Sequence, residues 1–190
     1  DVRNFNYPVQ LAAQERGSTA CDLLYAATKE EYTYSPENEP HISLNFTHRL
    51  AKVILKFVNM EKEPLEVSDV RIEGMQTAAS FNIQTDVLTV DESSVATINP
   101  YHNATTGFYE AIILPSALTD SYKVSFVLDD REKEWIFTNL DIALPQFHKG
   151  YSYTFALYID DSGFVEMGRL ENVEGGNSSA PWEDGSSEDG

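Results

Sequence analysis

The sequence predicts an all-β fold, a two-sheet antiparallel β-sandwich. Short segments of alternating polarity follow one another from Phe5 to Met167, divided by turn residues. The composition favours strands, with 10 Tyr and 10 Phe in 190 residues. No stretch sustains a helical period. The best helix candidate, THRLAKVILKF, places Leu50, Ile54 and Phe57 at helical offsets, but its Val, Ile and Phe favour a strand. A domain of this length buries about 70% of its extended-chain surface on folding, and the 42% hydrophobic content supplies the core.

In chain order, FNYPVQLA (5–12) and CDLLYAA (21–27) flank QERGST, a polar connector. TKEEYTYSPENEPH, with its prolines and glutamates, reads as an exposed loop. LEVSDVRIEGM (65–75), AASFNIQT (78–85), VLTV (87–90) and VATI (95–98) are strand-like. GFYEAIILP (107–115) is almost continuously apolar up to its proline, which suits an inner strand. YKVSFVL (122–128) and EWIFTNL (134–140) form a hairpin across the charged turn DDREK, and GYSYTFALYID (150–160) forms another with FVEM (164–167).

The stretch HISLNFTHRLAKVILKFV (41–58) alternates twice, out of step. Ile42, Leu44, Phe46, His48 and Leu50 lie on even positions, Val53, Leu55 and Phe57 on odd ones. A strand that changes its inward parity needs a bulge, or a bend where it passes from one sheet to another. The segment therefore predicts two strand pieces joined around residues 48–52, with His48 at the edge of the core, hydrogen-bonded to backbone freed by the bulge.

Charge narrows the partners. Thirteen Lys and Arg against 31 Asp and Glu leave a net charge of -18, which repels phosphate backbones and anionic head groups. Nucleic acid is excluded as a partner. Cys21 is the single cysteine, so no intramolecular disulfide and no multi-cysteine zinc site can form. No apolar run approaches the roughly 18 residues that cross a bilayer.

The chemistry-bearing residues point to architecture. No nucleophile elbow, phosphate-binding glycine loop or His-Glu-x-x-His motif occurs, and His41, His48, His102 and His148 are scattered. Asp129 with Asp130 and Asp160 with Asp161 fall at predicted hairpin turns, where Asp is favoured for its side-chain hydrogen bonds. No catalytic, cofactor-binding or metal-ligating residue is assigned, and no enzymatic activity is expected. Tyr151, Tyr153 and Phe155 share one strand face, with Tyr158 on the other. Core packing is the expectation for the Tyr151 face; exposed, either face would offer rings for stacking on sugar, as in a carbohydrate-binding module. The Asn-x-Ser/Thr triplets at Asn45, Asn103 and Asn177 are read as chance.

LNFTHRLAKVILKF resembles the pattern of fimbrillin-like proteins of Bacteroides-type bacteria, in which an apolar-x-Phe-x-His run precedes Leu-Ala-Lys and a further strand. DLLYAA (22–27), AIILPSAL (111–118), HKGYSYTFALYI (148–159) and APWEDG (180–185) match further motifs of that family in order. The resemblance spans 22–185 and corresponds mainly to the C-terminal domain of two-domain members. It implies a transthyretin-like Greek-key sandwich, exported as a lipoprotein to the outer membrane and displayed on the cell surface. Its membrane contact would be a lipid anchor upstream of residue 1. It implies a subunit, tip or anchor of fimbriae, or an adhesin, whose partners are other fimbrial subunits and a host protein or glycan receptor. Assembly by strand complementation after cleavage at a basic residue is part of the same implication, and Arg16 in QERGST is the candidate cleavage site; as a residue, it reads simply as solvated charge.

The expected organisation has three parts. Residues 1–21 form an N-terminal strand and connector, either a remnant of a preceding domain or a substitute for it. Residues 22–170 form the sandwich. Residues 171–190 form an acidic Gly/Ser-rich tail containing Trp182. The movable strands are expected in FNYPVQLA and in the tail around Trp182.

Overall fold

The structure, a computed structural model, describes residues 5–14, 21–28, 42–60, 65–140, 143–160 and 165–175. The fold is all-β, with no α-helix among the described residues. Its strands are β1 (Asn6–Gln10), β2 (Leu24–Tyr25), β3 (Thr47–His48), β4 (Ala51–Asn59), β5 (Val67–Glu73), β6 (Ala78–Asn82), β7 (Val87–Val90), β8 (Tyr101–Asn103), β9 (Phe108–Ile113), β10 (Lys123–Leu128), β11 (Arg131–Ile136), β12 (Tyr151–Ile159) and β13 (Val165–Gly175).

A five-stranded sheet in the order β13-β12-β4-β9-β8 faces a three-stranded sheet β11-β10-β5. Between them lies the main core, built from Val53, Leu55, Ile72, Ile113, Val124, Phe126, Phe137, Phe147, Tyr153, Phe155 and Leu157 among others. All pairings in these sheets are antiparallel except β4 with β12, which is parallel. The rings of Phe137, Phe147, Tyr153 and Phe155 meet edge to face at 5.1–6.3 Å, the geometry that the aromatic quadrupole prefers.

One further layer adds to the expected two-sheet sandwich. A small sheet, β1-β6-β7, and a ribbon, β2-β3, cover the other face of the five-stranded sheet. There a second core gathers Val9, Leu11, Leu50, Ala79, Phe81, Ile112 and Leu114, with Leu23, Tyr25, Leu88 and Val90 at its margin. This explains the unbroken apolar character of β9: Ala111 and Ile113 enter the main core, and Ile112 enters the second.

The phase slip has the same cause. The chain leaves the ribbon after His48 and enters the large sheet at Ala51, as expected for a strand that changes sheets. Odd residues of β4 face the main core, while Leu50 faces the second. One expectation fails here. Residues 42–46 form no strand, and Ile42, Leu44 and Phe46 are exposed, with no element covering them among the described residues.

Other boundaries shift for local reasons. VATI supplies only isolated bridges, Gln76 to Val95 and Ile72 to Ile98. The turn in DDREK shrinks to Asp129 and Asp130, at φ 50° and 58°, and Leu128 pairs directly with Arg131. Positive φ at both central residues is the signature of the tight hairpin turn that matches strand twist, and Asp tolerates it. Arg131, Glu132 and Lys133, read as turn, are therefore strand. β13 runs to Gly175, into the stretch assigned to the tail, and is far longer than FVEM alone. Gly168 on β13 lies under the Trp135 ring: a Cβ there would stand 2.1 Å from Cζ2. The outer face of β5-β10-β11 is a ladder of charge, where Arg71 pairs with Glu132, and Lys123 with Glu134 and Glu73.

Candidate functional site: the seat of the N-terminal strand

Three basic side chains from one short stretch, His48, Arg49 and Lys52, each meet a carboxylate around the second core. His48 Nδ1 lies 2.6 Å from Asp22 Oδ2, which ties the end of β3 to the segment leading into β2. His48 thus bonds a carboxylate, where the sequence pointed to freed backbone. Arg49 donates from Nη2 to Asp86 Oδ2 at 2.9 Å in the β6–β7 turn, and its guanidinium lies 5.0 Å above the Tyr25 ring. Lys52 Nζ meets Glu110 Oε2 at 2.9 Å, with side chains only 5% and 11% exposed. Asn103 donates to the other oxygen of Glu110 at 3.0 Å. Each basic side chain of the cluster thus pairs with a different carboxylate.

Into this layer residues 5–14 run as a strap. β1 pairs antiparallel with β6, Tyr7 opposite Phe81 and Val9 opposite Ala79. Phe5 accepts from Ile83 N–H at 2.9 Å, and Leu11 N–H donates to Thr77 at 2.8 Å. Odd residues therefore carry the ladder. Pro8, on an even position, points its missing N–H to the free edge, where proline costs no ladder bond. Beyond β1 the strap bridges Ala13 to Asn99.

Its last described residue, Gln14, is 1% exposed. The Gln14 amide donates to Ile112 C=O at 2.6 Å and to Leu11 C=O at 2.7 Å, and Ile112 N–H donates to Gln14 Oε1 at 2.7 Å. β8 ends its pairing at Tyr101, opposite Glu110, so among the described residues no strand pairs with the outer edge of β9 at Ile112. The Gln14 side chain takes the place of that strand's peptide group. Buried main-chain groups need such a partner, each costing about 1–3 kcal/mol if orphaned. Val9 and Leu11 each contribute roughly 1.5–3 kcal/mol by burial.

The profile of the fimbrillin-like family matches residues 1–182. The chain belongs to the fimbrillin-like family. The match opens at residue 1, so the strap lies inside the family pattern, ahead of Asp22 where the motif resemblance begins. Among solved structures, a protein of Bacteroides uniformis provisionally named a cell adhesion protein aligns with a TM-score of 0.75 and 23% identity, over 92% of this chain and 67% of its own. A second, from Bacteroides ovatus and named likewise, aligns with a TM-score of 0.55 and 16% identity, over 70% of this chain and 48% of its own. These likenesses concern the fold. No curated protein matches the sequence.

The remaining sequence-derived candidates of this fimbrillin-like protein do not converge. His102 stacks on Tyr109 at 4.6 Å, and His148 sits against Gln146 and Tyr151. No group of three or more metal-ligating side chains occurs among the described residues. Tyr153 and Phe155 are buried, and His148 N–H donates to the Tyr153 hydroxyl at 2.7 Å, so that strand face is core, not a sugar platform. Burial raises the Tyr153 hydroxyl above its ordinary pKa. Arg16, His41, Asp161 and Trp182 lie outside the described residues. Gln14 is the residue that sequence reasoning missed. It stands at an even position, out of phase with the buried Val9 and Leu11, so the strand pattern gives no signal for it.

Proposed function

We propose that this fimbrillin-like protein is a non-enzymatic cell-surface protein, a subunit, tip or anchor of fimbriae or an adhesin, exported and anchored upstream by lipid. Assembly proceeds by strand complementation at the seat of β1. The observation that carries this reading is the strap: residues 5–14 lie along the free edge of β6, hold the second core through Val9 and Leu11, and close β9 through Gln14. Removal of the strap opens one sheet edge and one apolar trough, which a strand from another copy fills by backbone hydrogen bonds and side-chain anchors. Family membership and the naming of the two solved relatives support the same reading.

Cleavage within residues 15–20, with Arg16 as the candidate bond, tests it. Sedimentation of the cleaved chain over a wide concentration range is expected to show oligomers that the intact chain does not form. A cleaved chain that stays folded and monomeric throughout contradicts the proposal.

A further inference from the structure

We propose that the exposed apolar stripe of Ile42, Leu44 and Phe46, with Leu24 beside it, is a docking surface for this chain's own C-terminal segment, anchored by Trp182. This surface is separate from the seat of β1. Ile42, Leu44 and Phe46 are 46–53% exposed, and no turn interrupts residues 42–46, so these alternate side chains stand on one side of the chain. Leu24, 50% exposed, adds to that side, because it pairs with His48 in the ribbon. A group of large apolar side chains left half in water marks a binding surface. Among the described residues 42–46 also enter no ladder, so their main-chain groups can take a further strand.

The path of the chain names the occupant. β12 runs parallel to β4, and β13 runs antiparallel to β12, so β13 leaves the large sheet at the end where β4 enters it. Its last residue, Gly175, pairs with Tyr151, and Ser152 pairs with Lys52, which sets Gly175 level with Ala51 and two strands away. Two strand spacings are about 10 Å. The same corner is fastened to the incoming chain by Gly150, whose N–H donates to Leu50 C=O at 2.7 Å. Residues 176–190 lie outside the described residues. Trp182 is seven residues beyond Gly175, and Leu44 is seven residues before Ala51. Seven extended residues span up to about 23–25 Å, enough to cross the sideways step and draw level with Leu44 or Phe46.

One side chain sets the register. Trp182 is the single large apolar residue in 176–190, surrounded by Gly, Ser, Ala, Pro and carboxylates. The family profile extends to residue 182, so Trp182 lies inside the family pattern. An indole laid across Leu44 and Phe46 takes the one large apolar surface of the segment out of water, together with two of the exposed side chains of the stripe.

The test labels the full chain with fluorotryptophan, which gives one fluorine resonance for the core residue Trp135 and one for Trp182, assigned with Trp182→Phe. The Trp182 resonance is expected to stand apart from that of a free peptide of residues 176–190. Its broadening by a soluble paramagnetic agent is expected to be about tenfold weaker than in the peptide, the ratio set by a segment docked ten times as often as it is open. Both properties should be independent of protein concentration. Leu44→Ser with Phe46→Ser is expected to move the resonance to the peptide position and abolish the protection, whereas Val95→Ser, at an exposed valine bridged to Gln76, leaves both unchanged. An unmoved Trp135 resonance reports an intact fold in each variant. A Trp182 resonance at the peptide position in the parent chain overturns the proposal. Protection that survives the double substitution overturns it by placing Trp182 elsewhere, and protection lost on dilution overturns it in favour of the tail of a second copy.

Discussion

The side chain of Gln14 and the backbone of Ile112 pair as two strands do, through N–H to Oε1 at 2.7 Å and Nε2 to C=O at 2.6 Å. The residues are 98 positions apart in the chain. One amide thus fastens the N-terminal strap to the inner strand β9, and the contact joins the small sheet to the large one.

Gln14→Glu in the intact chain makes this contact sensitive to pH. A carboxylate buried opposite Ile112 C=O has its folded pKa raised above the ordinary value of about 4.3. The variant is then near its best stability below that value, loses stability as pH rises through the window up to the raised folded pKa, and stays at its minimum above. Denaturant titrations from acid to neutral pH are expected to show this fall, about 2–4 kcal/mol in all. A variant with the same pH profile as the parent contradicts the geometry.

Lys52 and Glu110 form a buried pair. Lys52→Met alone strands a carboxylate in the second layer and is expected to cost about 3–5 kcal/mol. Combining it with Glu110→Leu should recover most of that loss, since an apolar pair of similar volume avoids desolvation. Chemical denaturation of the single and double variants measures the coupling; additive losses contradict it.

Gly168→Ala drives a methyl group into Trp135, whose Nε1–H donates to Asn139 C=O at 3.2 Å. Trp135 belongs to the main core and cannot swing aside cheaply. The expected cost is about 1–3 kcal/mol or more, with a shifted tryptophan emission as the accompanying sign. An unchanged midpoint and spectrum would show that β13 does not pass under the ring.

Glu73 titrates below its ordinary range, first because Ser125 Oγ donates to it at 2.6 Å and then through the Lys123 and Arg71 charges. A depressed carboxylate contributes stability above its unfolded pKa, and that stability is lost as pH falls through the folded value. Ser125→Ala is expected to raise the Glu73 pKa toward the ordinary value and to flatten the acid limb of the stability curve. Carboxyl NMR titration reads the first effect and acid denaturation the second; an unmoved Glu73 refutes the assignment.

Period-two patterning made β4 and β5 legible, whereas β9 was legible from its almost unbroken apolar run, because both of its faces are covered. The change of parity at His48 correctly marked a passage between sheets. The reason for it, a second core on the opposite face, was not legible, since sequence period reports that a face is covered and not by what. Exposed Ile42, Leu44 and Phe46 imitated a strand for the same reason. Tyr101–Asn103 escaped notice because three residues carry too little pattern. Gln14 was invisible for a different cause: its burial depends on an unpaired peptide group of β9, a property of the assembled sheet and not of its own neighbours in the chain.

Residue-resolved amide hydrogen exchange of the intact chain tests the central claim most directly, that the strap and the second core open as a unit while the main core stays closed. The amides of Leu11, Ile112 and β6 are expected to exchange together through an opening well below the global unfolding free energy, with those of β10 and β12 near the global value. Exchange of all these amides through one common opening, at the global value, would contradict the account.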